Sequence, residues 1–265
     1  QDDDKLYLPV YRINLIRKFS GVGSVDKLGT NKWEKTKIKV RNQLKDIASD
    51  LLKLYAKRSQ ATRAPFGEPD IDYKTFEAQF PYDETPDQLQ AINSILDDLQ
   101  KNTPMDRLIC GDVGFGKTEI AMRAAFKAIQ ERKQVGILVP TTILSFQHFE
   151  SFKKRFKTWP VRVEMLSRFT PKAKAKEIIL DLKEGKVDIV IGTHRLLSKD
   201  IQFKSLGLLV VDEEHKFGVT HKERIKIMKA AIDTIAMSAT PIPRTLNMSL
   251  VGIRDLSLIT TAPQD

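Results

Sequence analysis

Gly111-Asp112-Val113-Gly114-Phe115-Gly116-Lys117-Thr118 has the residue types and spacing of a phosphate cradle, G-x-x-x-x-G-K-[ST]. Its glycines let successive backbone N–H groups turn inward around phosphate oxygens, and a helix that opens there adds partial positive charge. Lys117 can reach the β- and γ-phosphates of a nucleoside triphosphate, and the Thr118 hydroxyl can ligate Mg²⁺. Further along, the apolar run Leu208-Leu209-Val210-Val211 ends in Asp212-Glu213-Glu214-His215. Alone, such an acidic run is more often a solvated turn. Downstream of a phosphate cradle it reads as the other half of a hydrolytic site. Asp212 is placed to hold Mg²⁺ through its water shell, and Glu213 to orient or deprotonate an attacking water.

These residues need elements that bring them together. Apolar runs at 107–110, 136–139, 161–166, 187–191, 208–211 and 234–237 alternate with helical patterns, among them 118–131 and 143–156. That alternation predicts parallel strands with right-handed crossovers, a doubly wound α/β domain. Ligands in such sheets bind at the carboxyl ends of the strands, where both motifs fall. Cys110, in the strand before the cradle, reads as a small buried filler.

The front of the chain reads differently. Two short apolar runs at 6–10 and 13–16 suggest strands of a small β module, followed by a turn-rich stretch. Two strands cannot stand alone, so this reads as the tail of a truncated module. Val40, Leu44, Ile47, Leu51 and Leu54 then form a helical seam spaced 4, 3, 4, 3. Pro65, Gly67, Pro69 and Pro81 break the pattern and mark a boundary. The expected divisions are 1–31 for the partial β module, 32–63 for a connecting helix and 64–265 for the α/β domain.

Composition bounds the function classes. With 41% hydrophobic residues the chain can build a sizeable core, and no apolar run approaches a membrane span. The acidic start, Gln1 to Lys5, is not a signal peptide. The single cysteine excludes an internal disulfide and a multi-cysteine zinc site, and fits a reducing cytosolic setting. A net charge of +10 suits a polyanion such as nucleic acid, and equally a solvated basic surface. The stretch 150–176 carries nine Lys/Arg against two acids and is open to the same two readings.

Taken together, the motifs resemble the DExH-box helicases of superfamily 2. Asp212-Glu213-Glu214-His215 is similar to the box itself, Ser238-Ala239-Thr240 to motif III, Pro140-Thr141-Thr142 to motif Ia and Gly192-Thr193-His194-Arg195 to motif Ib. The stretch from Phe80 to Gln88 is similar to the adenine-reading Q motif. GDVGFGKTEIAMRAAFKA, DEEHKFGV and MSATPIPRTLNMSL narrow the resemblance to bacterial transcription-repair coupling factors, a translocase family, with branch-migration helicases sharing much of the lobe. KLYLPVYRINLIRKF and LGTNKWEKTKIKVR favour the coupling factors.

The resemblance implies a RecA-like ATPase lobe that binds ATP and Mg²⁺. It adds Tyr82 and Gln88 to the nucleotide site beside residues 111–118, with Lys117, Asp212 and Glu213 catalytic and Thr118 and Asp212 on the metal. It implies DNA contacts at Thr141, Thr142, Thr193, His194 and Arg195, and coupling through His215, Ser238 and Thr240. Plainer roles remain open. Thr85 and Gln88 form a T-x-x-Q capping box with Pro86 at the first helical position, which is compatible with adenine contact. The strand-end threonines and Arg195 could simply cap helices, Ser238 and Thr240 could form a turn, and His215 could be satisfied at a strand end. The implied partners are double-stranded DNA, RNA polymerase through the N-terminal module, and an excision-repair damage-recognition protein through parts outside this chain. No membrane partner is expected, and the implied location is the bacterial cytoplasm. The family's second lobe, with its arginine fingers, has no counterpart here, so little turnover is expected of this lobe alone. The rival from another class is a partner-docking fragment indifferent to ATP.

Overall fold

The computed structural model describes Lys35, Ile38, Ala56, Arg58, residues 60–239 and residues 254–263. The chain divides into residues 1–51 and 52–265, and the elements below belong to the second unit. The expected strands at 6–10 and 13–16, the seam from Val40 to Leu54, and Thr240 lie outside the described residues.

Seven strands form one sheet: β1 (Asp106–Gly111), β2 (Gln134–Leu138), β3 (Val163–Leu166), β4 (Ile189–Gly192), β5 (Leu206–Asp212), β6 (Asp233–Ser238) and β7 (Asp255–Ile259). Their order is β3-β4-β2-β5-β6-β1-β7, and every pairing is parallel. In register, Val210 of β5 lies between Ile137 of β2 and Ile235 of β6. The central strands read as continuous apolar runs because helices cover both faces.

Alternate residues feed two cores. Ile109, Ile137, Val210 and Ile235 pack with α1 (Ile71–Ala78), α2 (Pro86–Leu99), α3 (Lys117–Gln130) and α4 (Thr142–Arg155). Leu138, Leu166, Val190, Leu209 and Val211 pack on the other side, with Ile178 and Leu182 of α5 (Lys172–Glu184) and Ile225 of α6 (Val219–Lys229). The doubly wound parallel sheet expected from the alternation is therefore present. No helix among the described residues is long and apolar enough to cross a membrane.

Two elements depart from the sequence reading. The proline-rich stretch taken as a boundary contains α1, because no proline falls between Asp70 and Phe80 and Asp70 Oδ1 accepts the Tyr73 N–H at 2.9 Å. Tyr73 and Phe76, one turn apart, hold this helix in the core. The second is β7, an edge strand on β1 whose alternating exposure lacks the continuous apolar run of a central strand.

The order places five motif-bearing strand ends in a row. Thr193 follows β4, Pro140 to Thr142 follow β2, Asp212 ends β5, Ser238 ends β6 and the cradle begins at Gly111 of β1.

Candidate nucleotide-binding site

The loop from Gly111 to Gly116 leaves β1 and enters α3. Gly114 and Gly116 sit at φ 87° and 74°, in the left-handed region that side chains disfavour. A Cβ on Gly116 would also run into the Gln88 amide. Asp112 and Val113 form the exposed crest. No side chain caps the start of α3, which suits an anion at that end. Lys117 Nζ now donates to the carbonyl oxygens of Gly111 at 2.6 Å and Asp112 at 2.8 Å. Burial pulls its ammonium below the ordinary lysine pKa, and the Asp212, Glu213 and Asp112 carboxylates oppose this only in part.

The acidic end of β5 faces the loop. Lys117, Thr118, Asp212 and Glu213 line one cavity of about 490 Å³, with Gly114, Gly116, His148 and Ala239. Glu213 adopts φ 49°, unusual for a residue with a side chain, and its N–H donates to Met237 O at 2.9 Å. Its carboxylate accepts the Ala239 N–H at 2.7 Å and lies 3.2 Å from His215 Nδ1. The structure thus joins Glu213, His215 and the backbone just past Ser238. Glu214 points the other way, to Lys229 at 2.6 Å and Arg254 at 3.6 Å. Burial raises its pKa, but these two cations more than offset that and leave it low.

The donor set fits Mg²⁺. Thr118 and Asp212 offer oxygen ligands to one cavity, and this hard cation takes few protein ligands, with phosphate and water completing the shell. Among the described residues no group of three or more His, Cys, Asp or Glu could cage a metal otherwise.

Gln88 is 5% exposed, with both ends of its amide in use. Its Oε1 accepts the Thr85 N–H at 2.9 Å, completing the capping box, and its Nε2 donates to Phe115 O at 3.1 Å. The residue therefore braces the phosphate loop. Tyr82 is 64% exposed, and lines a separate cavity of about 500 Å³ with residues 81–86, Thr261 and Ala262.

The candidate DNA contacts are placed unevenly. Thr141 is exposed and caps α4, accepting the Leu144 N–H at 3.2 Å, and Thr142 opens that helix. His194 is exposed and stacks on His221 with centroids 5.0 Å apart. Arg195 is held by Asp200 through two bonds of 2.7 and 2.5 Å. Thr193, which follows β4, is 4% exposed. The basic stretch also divides. Arg155 turns inward to Glu119 at 2.8 Å, and Arg162 pairs with Asp181 at 2.6 Å, while Lys153, Lys154 and Lys157 line a surface hollow.

Sequence reasoning missed His148, whose Nε2 lies 3.3 Å from Asp212 Oδ2, and the Glu214–Lys229–Arg254 cluster. The signal for His148 was faint: a histidine on the buried side of α4, at helical spacing from Ser145 and Phe152.

Comparisons with known proteins agree with this layout. The chain is 55% identical to the transcription-repair-coupling factor of Myxococcus xanthus over 99% of its length, and 53% identical to that of Bacillus subtilis over 100%. These matches cover 22% and 23% of the relatives, so the chain spans less than a quarter of their length. Among solved structures, RecG bound to a three-way DNA junction matches at TM-score 0.68 and 30% identity, over 81% of this chain and 30% of that one. The helicase MrfA, at TM-score 0.53 and 17% identity over 72% of this chain and 32% of that one, shares the fold. These likenesses support a RecA-like lobe of an ATPase-type enzyme. A DEAD/DEAH box helicase family model matches residues 85–249, a span that begins at the Thr85 cap and takes in all five motif-bearing strand ends, and the chain belongs to that family.

Proposed function

We propose that the chain is the first motor lobe of an ATP-driven double-stranded-DNA translocase that couples transcription to excision repair by acting on stalled RNA polymerase in the bacterial cytoplasm. The observation that carries the motor reading is the single cavity shared by the phosphate loop and the Asp212–Glu213 pair. The names and 50–55% identities of the relatives support the coupling reading. Those matches span 99–100% of the chain, whereas RecG covers 81% at 30% identity, which favours this reading over a branch-migration lobe. On this reading residues 1–31 end a polymerase-interaction module, 32–63 connect, and 64–265 form the lobe. A damage-recognition partner would bind elsewhere in the longer protein.

In this mechanism Lys117 leaves the Gly111 and Asp112 carbonyls for the β- and γ-phosphates, exchanging two neutral acceptors for anionic ones. Thr118 and Asp212 would hold Mg²⁺, which would neutralise charge on the phosphates. Glu213 orients water and accepts its proton, and loss of the carboxylate charge weakens its hold on the Ala239 N–H and the His215 ring. That change ties hydrolysis to His215, Ser238 and Thr240. Thr141, Thr142, His194 and Arg195 supply the nucleic-acid side, Arg195 only after parting from Asp200. Tyr82 supports the base, with Gln88 setting the loop beneath it.

ATP turnover with and without duplex DNA tests the reading, comparing this chain with one extended through a second lobe. An arginine finger is worth roughly 10³–10⁵ in turnover. Little turnover here, and DNA-stimulated turnover in the longer chain, is expected. Equal DNA-stimulated rates in the two would contradict it.

A further inference from the structure

His148 lies on α4, outside every motif singled out above, yet it lines the cavity that holds Lys117, Thr118, Asp212 and Glu213. It is 8% exposed. Its Nε2 sits 3.3 Å from Asp212 Oδ2, and its Nδ1 is buried with no hydrogen-bond partner. A neutral imidazole has one donor and one acceptor nitrogen. A buried N–H without a partner is rarer than an under-satisfied acceptor, so the unpartnered Nδ1 is best left as a lone pair. The proton then sits on Nε2, where a carboxylate oxygen stands to accept it. The helix behind the ring is fixed. Phe152, one turn on, is fully buried with its centroid 6.4 Å from that of His148, and Arg155 anchors the helix end to Glu119.

We propose that His148 is a positioning residue for the metal-binding carboxylate: its Nε2–H holds Asp212 Oδ2 and so fixes the orientation of the carboxylate that would hold Mg²⁺. This rests on the reading of Asp212 as a metal-holding residue. Residues behind a metal ligand fix its orientation, and their loss costs about 10–100-fold in metal affinity. A packing role would require only the ring against Phe152. A positioning role requires an N–H at the Nε2 position.

The test is a Mg²⁺ titration of this chain at fixed N-methylanthraniloyl-ATP, with nucleotide affinity in EDTA and thermal melting measured alongside. His148→Leu should raise the half-saturating Mg²⁺ concentration about 10-fold and leave binding in EDTA unchanged. His148→Gln, whose amide N–H can stand at the Nε2 position, should stay near the parent. His148→Asn, too short to reach, should shift as Leu does. If the leucine variant fails to fold, the Gln and Asn contrast decides. An unmoved Mg²⁺ requirement in the leucine variant, or equal behaviour of Gln and Asn, would overturn the role of His148 alone. A parent chain whose nucleotide binding ignores Mg²⁺ would overturn the Asp212 reading, and this proposal with it.

Discussion

Gly116 stands where three demands meet: a left-handed φ of 74°, the start of α3, and the Gln88 amide that a Cβ would strike. Gly116→Ala should therefore displace Gln88 from Phe115 O and disturb the cradle and the capping box together. Nucleotide affinity should fall about 10-fold or more, read by titration with a labelled ATP analogue, because misplaced N–H groups lose charge-assisted bonds to phosphate. Affinity equal to the parent would count against the loop as cradle. At this scale much was legible. The Gly111–Thr118 spacing and the carboxylates after an apolar run need particular residue types in consecutive positions, so the chemistry is written locally. His148 was not legible, since its meaning comes from a carboxylate 64 positions away.

Among elements, the helices that flank the cradle are tied by buried charge. Arg123 of α3, 1% exposed, pairs with Glu77 of α1, Glu119 of α3 and Glu84 in the loop before α2, so the loop bearing Tyr82 is fixed to the phosphate-binding helix. At the sheet edge, Asp87 of α2 accepts the N–H and hydroxyl of both Thr260 and Thr261, at 2.8–3.0 Å. These bonds hold its carboxyl down to about 2. A depressed acid stabilises the fold fully above its unfolded pKa near 4 and loses that contribution as pH falls through about 2. Asp87→Asn should therefore loosen β7 at neutral pH, and amide exchange in residues 255–259 should quicken while β5 and β6 keep their protection. Unchanged exchange in β7 would refute the latch. The five inner strands declared themselves because strands covered on both faces read as continuous hydrophobic segments, and the edge strand β3 was legible as the apolar run at 161–166. The edge strand β7 and the short helix α1 did not. Each buries only a couple of side chains and is held largely from outside, β7 by Asp87 and β1, α1 by the aromatic packing of Tyr73 and Phe76.

In the molecule as a whole, the chain enters the lobe at the end of the sheet opposite the cavity. Arg58 donates to the carbonyls of Pro104, Met105 and Lys229, and Arg63 pairs with Asp233 at 2.8 Å. Burial pushes Asp233 up to about 6, against the pull of the Met105 N–H and Arg63. The folded state then binds a proton more tightly than the unfolded state, so this group's contribution to stability declines as pH rises from about 4 to about 6 and is flat above. Urea midpoints of the parent and Asp233→Asn should diverge across that window and run parallel above it. A constant difference from pH 4 to 8 would contradict the shift. The reading of residues 32–63 as a connector, which the sequence suggested from the seam between Val40 and Leu54, falls almost wholly outside the described residues. The central claim, however, is that the cavity between the phosphate loop and Asp212–Glu213 is a Mg²⁺-nucleotide site built for hydrolysis. Its most direct test is equilibrium binding of a labelled ATP analogue in Mg²⁺ to the parent, Lys117→Ala and Glu213→Gln. The account predicts saturable binding by the parent, binding weakened about 10-fold or more in Lys117→Ala, and binding retained in Glu213→Gln. A parent indifferent to nucleotide, or equal losses in the two variants, would contradict it.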